Sequence, residues 1–587
     1  MVKSVADRRL VVPARQPLGR WFRESTTGLI GLSLVIGAGA GLGAVAFRWL
    51  ITTFTRVFSG HADYSTAGHA AHPWFPQLGP WFLLLAPVVA GLLYGPLVYW
   101  FAPEARGHGV PEVMYAVAER GGRIPLQVSV VKALASALTI GSGGSVGREG
   151  PIVQIGSALG SALGRMAKLP ESRLRVLVAC GAAGGIAATF NAPLAGPFFA
   201  MELILRDFAA ESFGAVVLSS VTASVVGRAV FGTAPFLDLP PFTLRSPVEY
   251  VLFVVLGLLV GACGVLFTRV LYLIEDLCDW LWRGPEWLRP AAGGVVLGGL
   301  LLLLPEMYGV GYPVLQNAVE GKYVIGFLLV LLAGKIVVTS LTIGIGGSGG
   351  VFAPSLFIGA MAGTAFGIVA HAWLPGITAS PGVYGLIGMG AAFAGAARAP
   401  ITAVIVLFEL TGQYTIILPM LTAIVIATAT SRTLTRDTIY TLKLRRRGVD
   451  LDRHPDARRL AATQVASVAE PLPEPLSADL PLESAAHALA VSGHGILPVI
   501  DPEGRYQGCV TARAVAEALA GEHAGVVGDL AELPPLVTCD STLADALTAL
   551  TTAPGTGLPV LNGEQKLAGW ITHQAVLGAL QPAATAR

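Results

Sequence analysis

The sequence predicts an all-α polytopic membrane protein with two duplicated, inverted halves and broken helices, followed by a C-terminal α+β pair of small modules. Three observations carry that reading. Apolar residues make up 53% of the 587-residue chain and charged residues only 13%, with a mean hydropathy of +0.66; this excludes a soluble protein, and the length excludes a single domain. Three glycine- and proline-bearing anchors recur in the same order at offsets of 202, 203 and 207 residues, the mark of an internal duplication. From Asp450 onward charges return and a second, shorter repeat begins.

In chain order, residues 1–26 form a basic segment carrying Lys3, Arg8, Arg9, Arg15, Arg20 and Arg23 against Asp7 and Glu24. Apolar runs follow at 28–54, 81–101 and 213–231 in a first repeat (27–235), and at 250–274, 324–341 and 416–430 in a second (245–447). Each is near the ~20 residues that a crossing helix needs. The shorter, glycine-interrupted segments between them suit broken or re-entrant helices buried in protein. The second repeat closes on Arg432, Arg436, Lys443, Arg445, Arg446 and Arg447, so the positive-inside rule puts both ends in the cytoplasm. No signal peptide is expected, because the first apolar run starts late, is too long and lacks a small-residue cleavage pattern. The five cysteines show no paired spacing, which predicts neither a disulfide framework nor a zinc site. No nucleic-acid partner is expected.

The anchors carry the chemistry. Gly107-His-Gly-Val-Pro111 pairs with Gly309-Val-Gly-Tyr-Pro313, and Gly141-Ser-Gly-Gly-Ser-Val-Gly-Arg-Glu-Gly-Pro151 pairs with Gly344-Ile-Gly-Gly-Ser-Gly-Gly-Val-Phe-Ala-Pro354. In the third pair, Ala192-Pro193 matches Ala399-Pro400 and a glutamate, Glu202 or Glu409, follows each proline by nine residues. A glycine-rich loop that enters a helix through proline reads as a helix N-terminus aimed into a cavity, with free N–H groups and positive partial charge that suit an anion. At matching places the first half carries Glu149 and the second Phe352. A carboxylate beside such a terminus can occupy the same cradle as an anion, and protonation removes its charge and releases it. The plainer reading is that Glu149 pairs with Arg148 or caps its helix; an ionisable residue at membrane depth favours the functional one.

In the tail, a linker (448–463) precedes two modules, 464–522 and 523–587. Leu497-Pro-Val499 aligns with Leu558-Pro-Val560, Gly508 with Gly569 and Thr511 with Thr572, all at an offset of 61. Each shows a helical run, a short Val/Ile strand, a turn, a second strand and a helix.

The trio Gly-x-Gly-x-Pro, Gly-Arg-Glu-Gly-Pro and Gly-x-Phe-x-Pro, at 107–111, 147–151 and 350–354 in a duplicated membrane region, resembles the CLC family of chloride channels and chloride/proton antiporters; Tyr440 fits the family's late tyrosine, and the tail resembles a tandem CBS pair. The resemblance spans about residues 27 to 447. It implies a homodimer in the cell membrane with one anion path per subunit, no enzymatic activity, and Glu149 as gate and proton acceptor. Chloride or a similar small anion would lie among Gly150, the amides of Val351 and Phe352 and the Tyr440 hydroxyl. A cradle of partial charges repays dehydration of the anion without trapping it.

Three departures from the family pattern shape the expectations. His108 stands where a serine is usual; it either donates to the anion, changing selectivity, or turns its ring away. Leu203 takes the place of the inner proton glutamate. Glu202 beside it points about 100° away, and the shared repeat position of Glu202 and Glu409 favours a structural role for both. A proton-coupled carrier and a passive gated chloride channel both stay open, as does a membrane-anchored CBS sensor. In the CBS pair, Ala514 and Ala575 replace the ribose-binding aspartates, so no cofactor is expected and an adenine nucleotide there stays an open alternative.

Overall fold

The computed structural model describes residues 25–233, 244–451, 457, 460–461, 463–521, 525–553, 555–562 and 566–580. The basic residues of the N-terminal segment and half of the 448–463 linker lie outside the described residues. The chain divides into a unit of residues 1–449 and a second of residues 450–587.

The first unit is all helix and repeats itself. Thr26–Ser59, Phe82–Phe101, Val110–Glu119, Gln127–Gly141, Glu149–Met166, Glu171–Phe190, Ala195–Phe199 and Ala210–Phe231 are matched in order by Glu249–Leu281, Arg289–Leu303, Tyr312–Val319, Ile325–Gly344, Phe352–Trp373, Pro381–Ala397, Pro400–Thr411 and Ile417–Leu434. Among the described residues nine helical stretches are long and apolar enough to cross a membrane. Six coincide with the apolar runs expected from sequence; Glu171–Phe190, Glu286–Leu303 and Phe352–Trp373 are additional. Glu171–Phe190 and Phe352–Trp373 are the most deeply buried of the nine and are rich in Gly, Ala and Ser. A helix that packs against protein on all sides needs small residues more than lipid-like ones, which fits the low hydropathy of Glu171–Phe190.

Glycine explains how these inner helices pack. A methyl group on Gly156 would overlap the Gly181 carbonyl, and one on Gly359 would overlap that of Gly388. The helix pairs therefore meet backbone to backbone at equivalent points of both halves.

Contacts across the two halves are reciprocal, as a two-fold relation requires. The Ser145 amide donates to Thr342 Oγ1 (3.2 Å) and the Ser348 amide to Thr139 Oγ1 (3.3 Å). Glu202 accepts from the amides of Ile401 (3.2 Å) and Thr402 (2.8 Å) and from the Thr402 hydroxyl (2.7 Å). Its mate Glu409 accepts from the amides of Leu194 (2.9 Å) and Ala195 (2.6 Å). Each glutamate thus caps the N-terminus of the other half's short helix, where orphan N–H groups and the helix dipole favour an anionic acceptor.

The second unit holds two three-stranded sheets, Leu476–Ser477, Ile496–Ile500, Tyr506–Thr511 and Val537–Thr538, Gly557–Leu561, Leu567–Thr572, each with its middle strand parallel to the first and antiparallel to the third. Each module has its own apolar core. Ile496 and Cys509 of one module share a smaller cluster with Trp570 of the other.

Candidate functional site

The two glycine-rich loops meet face to face. Gly147 and Gly350 form an antiparallel bridge, with their amides and carbonyls paired at 2.7 and 2.6 Å. Gly107 joins the sheet-like contact through its amide to the Gly347 carbonyl (3.2 Å) and its carbonyl to the Gly349 amide (3.3 Å). A side chain on Gly150 would strike the His108 carbonyl, and one on Gly350 would strike the Gly150 amide. All three sequence motifs thereby converge on one buried spot, where the helices Glu149–Met166 and Phe352–Trp373 both begin.

Buried cations brace this knot. Lys132 Nζ donates to the carbonyls of Ala105 (2.8 Å) and Gly107 (2.7 Å), and its repeat mate Lys335 donates to Ser145 Oγ (2.8 Å) and to the carbonyls of Gly309 (3.3 Å) and Val310 (3.0 Å). Lys132 spends its charge on backbone carbonyls alone, and Lys335 on two carbonyls and one hydroxyl.

Glu149 is buried at the centre, 1% exposed. Its Oε2 accepts from the Ala353 amide (3.4 Å) in the first turn of the Phe352–Trp373 helix, and its Oε1 accepts from the Tyr312 hydroxyl (2.6 Å). The carboxylate therefore lies across the cradle formed by that N-terminus. The first four N–H groups of a helix have no intrahelical acceptor, so Phe352 and Ala353 present amides there; Val351 stands at the N-cap position. The Phe352 ring turns aside to pack on Phe190 (5.5 Å) and Phe393 (4.5 Å).

His108 is fully buried, its ring edge-on to Tyr272 at 6.2 Å, and among the described residues neither ring nitrogen has a hydrogen-bond partner. Tyr440 is buried and held through its neighbour Ile439, whose amide donates to the Ala396 carbonyl (2.9 Å) and whose carbonyl accepts from the Tyr272 hydroxyl (2.7 Å). Tyr440 interacts electrostatically with Glu149. Leu203 is buried in the π-helical turn Ala200–Leu205. Tyr312 is the residue that sequence reasoning passed over. Its signal was present: it occupies the Gly-x-Gly-Tyr-Pro anchor, where the first half has Val110. Among the described residues no cluster of metal-ligating side chains occurs.

A duplicated helical membrane protein whose halves join at a knot of glycine loops, with helix N-termini converging on a buried carboxylate, is an ion-transport fold. The family model described as voltage gated chloride channel matches residues 90–432, and the CBS domain model matches 465–521 and 527–582. A putative chloride channel protein ClcB-like of Ralstonia nicotianae is 33% identical over 435 residues, 73% of this chain and 99% of that protein. The H(+)/Cl(-) exchange transporter ClcA of Vibrio cholerae is 39% identical over 335 residues, 55% of this chain and 71% of the relative. Among solved structures, a slow cyanobacterial Cl-/H+ antiporter superposes with a TM-score of 0.65 at 26% identity, covering 72% of this chain and 99% of that one. The chain belongs to the CLC family of chloride-transport proteins and carries two CBS domains after its membrane region.

Proposed function

We propose that the protein moves chloride or a similar small anion across the cell membrane, gated by Glu149 and coupled to protons. The observation that carries this reading is the Glu149 carboxylate lying on the Ala353 amide, in the place a dehydrated anion would take. The deprotonated side chain and the anion compete for one set of donors: the amides around Gly150, Val351 and Phe352, the Tyr440 hydroxyl, and an N–H of His108. Protonating Glu149 removes the negative charge that binds it to the helix terminus, frees the cradle, and loads one proton. The orphaned His108 ring supports a place on the anion path, since a buried donor without a partner costs about 1–3 kcal/mol that a ligand would recover.

Coupling draws support from the relatives named as exchangers. Leu203 favours a second reading, a passive gated channel, because no carboxylate stands at the inner position. A bare membrane anchor for a CBS sensor has no use for a buried carboxylate on a helix terminus. The basic residues 432–447 support a cytoplasmic C-terminal side, and we take the functional unit to be a homodimer. Purified protein in liposomes decides between the readings. An imposed chloride gradient drives protons uphill if the protein is an exchanger; chloride flux without proton movement selects the channel, and no chloride flux rejects both.

A further inference from the structure

We propose that Tyr312 is the outer latch of the gate: its hydroxyl holds the deprotonated Glu149 in the cradle and so sets how strongly the gate competes with the anion. The inference rests on the reading of Glu149 as gate and extends it by naming what keeps the gate shut.

Geometry is the first argument. At 2.6 Å the Tyr312 hydroxyl is a closer partner for Glu149 than the Ala353 amide at 3.4 Å. A phenol can donate one proton, and a carboxylate accepts it far better than a neutral carboxyl does. The contact therefore favours the charged, docked gate over the protonated, released one.

Rigidity is the second. Tyr312 opens the Tyr312–Val319 helix behind Gly311, whose φ of +85° favours glycine, and ahead of Pro313. Lys335 binds the carbonyls of Gly309 and Val310 and, with the same amine, Ser145 in the loop that leads to Glu149. One buried cation thus fixes the spacing between the latch and the gate. The groups that face Glu149 are Arg148 from its own loop, Tyr312, Lys335 and Tyr440, and the Arg148 guanidinium also covers the Tyr312 ring at 5.4 Å.

The third argument is the repeat. Glu149 corresponds to Phe352 and Tyr312 to Val110. Carboxylate and hydroxyl occur together, one in each half, and meet across the knot, while their mates are both apolar. Helix packing alone would be served by an apolar residue at each place.

The test is chloride binding to purified full-length protein by titration calorimetry, across pH, for the wild type, Tyr312→Phe, Glu149→Gln and the double variant. Tyr312→Phe is expected to tighten chloride about tenfold at alkaline pH, the low end of what a charge-assisted hydrogen bond contributes, and to converge on the wild type at acid pH. In the Glu149→Gln background the same change should move the Kd less than twofold. An unchanged Kd in Tyr312→Phe, or an equal shift in both backgrounds, overturns the latch. Tyr312→Leu gives the same comparison should the phenylalanine variant fail to fold. If Glu149→Gln itself leaves chloride binding and its pH dependence unaltered, the gate reading fails; if it acts and Tyr312→Phe does not, only the latch fails.

Discussion

Replacing Glu202 by glutamine separates structural capping from proton transfer. The carboxylate carries three hydrogen bonds, from Ile401 N at 3.2 Å, Thr402 N at 2.8 Å and Thr402 Oγ1 at 2.7 Å. Glutamine keeps one acceptor oxygen and turns an NH₂ group toward a backbone N–H, so one amide loses its acceptor and the other bonds lose their charge assistance. A bond to a charged group contributes about 1.5–3 kcal/mol, and the Ile401 end of the cap is exposed while the Thr402 end is half-buried, which puts the net destabilisation at about 1–3 kcal/mol. The apparent melting temperature in detergent should fall by at least ~2 °C, with Glu409→Gln falling by no more than that because Glu409 caps two amides and, among the described residues, has no hydroxyl donor. Flux assays on the surviving folded protein should give unchanged proton movement per chloride. Loss of proton movement at an unshifted melting temperature would refute the capping argument and make Glu202 a proton relay.

Gly156→Ala and Gly359→Ala each push a methyl group into a facing carbonyl; overpacking of this kind costs about 1–3 kcal/mol, read as a lower yield of monodisperse protein and a lower melting temperature. His108→Ser replaces the orphaned ring with a hydroxyl and should change the nitrate-to-chloride permeability ratio; an unchanged ratio removes His108 from the anion path. Burial pushes the Cys509 thiol up to about 11, so its thiolate is scarce at pH 8 and iodoacetamide should label Cys539 well ahead of Cys509 by mass spectrometry. The sign follows from the raised value: Cys509 contributes stability below about pH 9, lost as pH climbs toward 11. Calorimetric titration with adenine nucleotides should show no binding at the CBS pair, where Ala514 and Ala575 offer no carboxylate to a ribose.

The lipid-facing helices were legible because hydropathy reports contact with lipid directly, and the duplication was legible because its anchors depend on glycine and proline at fixed spacing. Phe352–Trp373 was passed over although it is apolar along its length, because its Gly, Ala and Ser content and its glycine-proline entry made it read as a broken, protein-buried segment. Glu149 stood out as a carboxylate where its repeat mate is Phe352. The partner of Glu149 did not: Tyr312 lies 163 residues further along the chain, and only the folded knot brings it to the carboxylate. The reciprocal caps were half visible. Matching positions of Glu202 and Glu409 suggested a structural role, while the amides they bind belong to the opposite half and could not be read from either repeat alone.

The central claim, that one acidic side chain occupies the anion's own cradle, is tested most directly by chloride efflux from liposomes holding Glu149→Gln, measured with proton movement across a range of pH. The account predicts chloride efflux that persists and no longer varies with pH, with proton movement abolished. Efflux and proton transport that both match the wild type would contradict it.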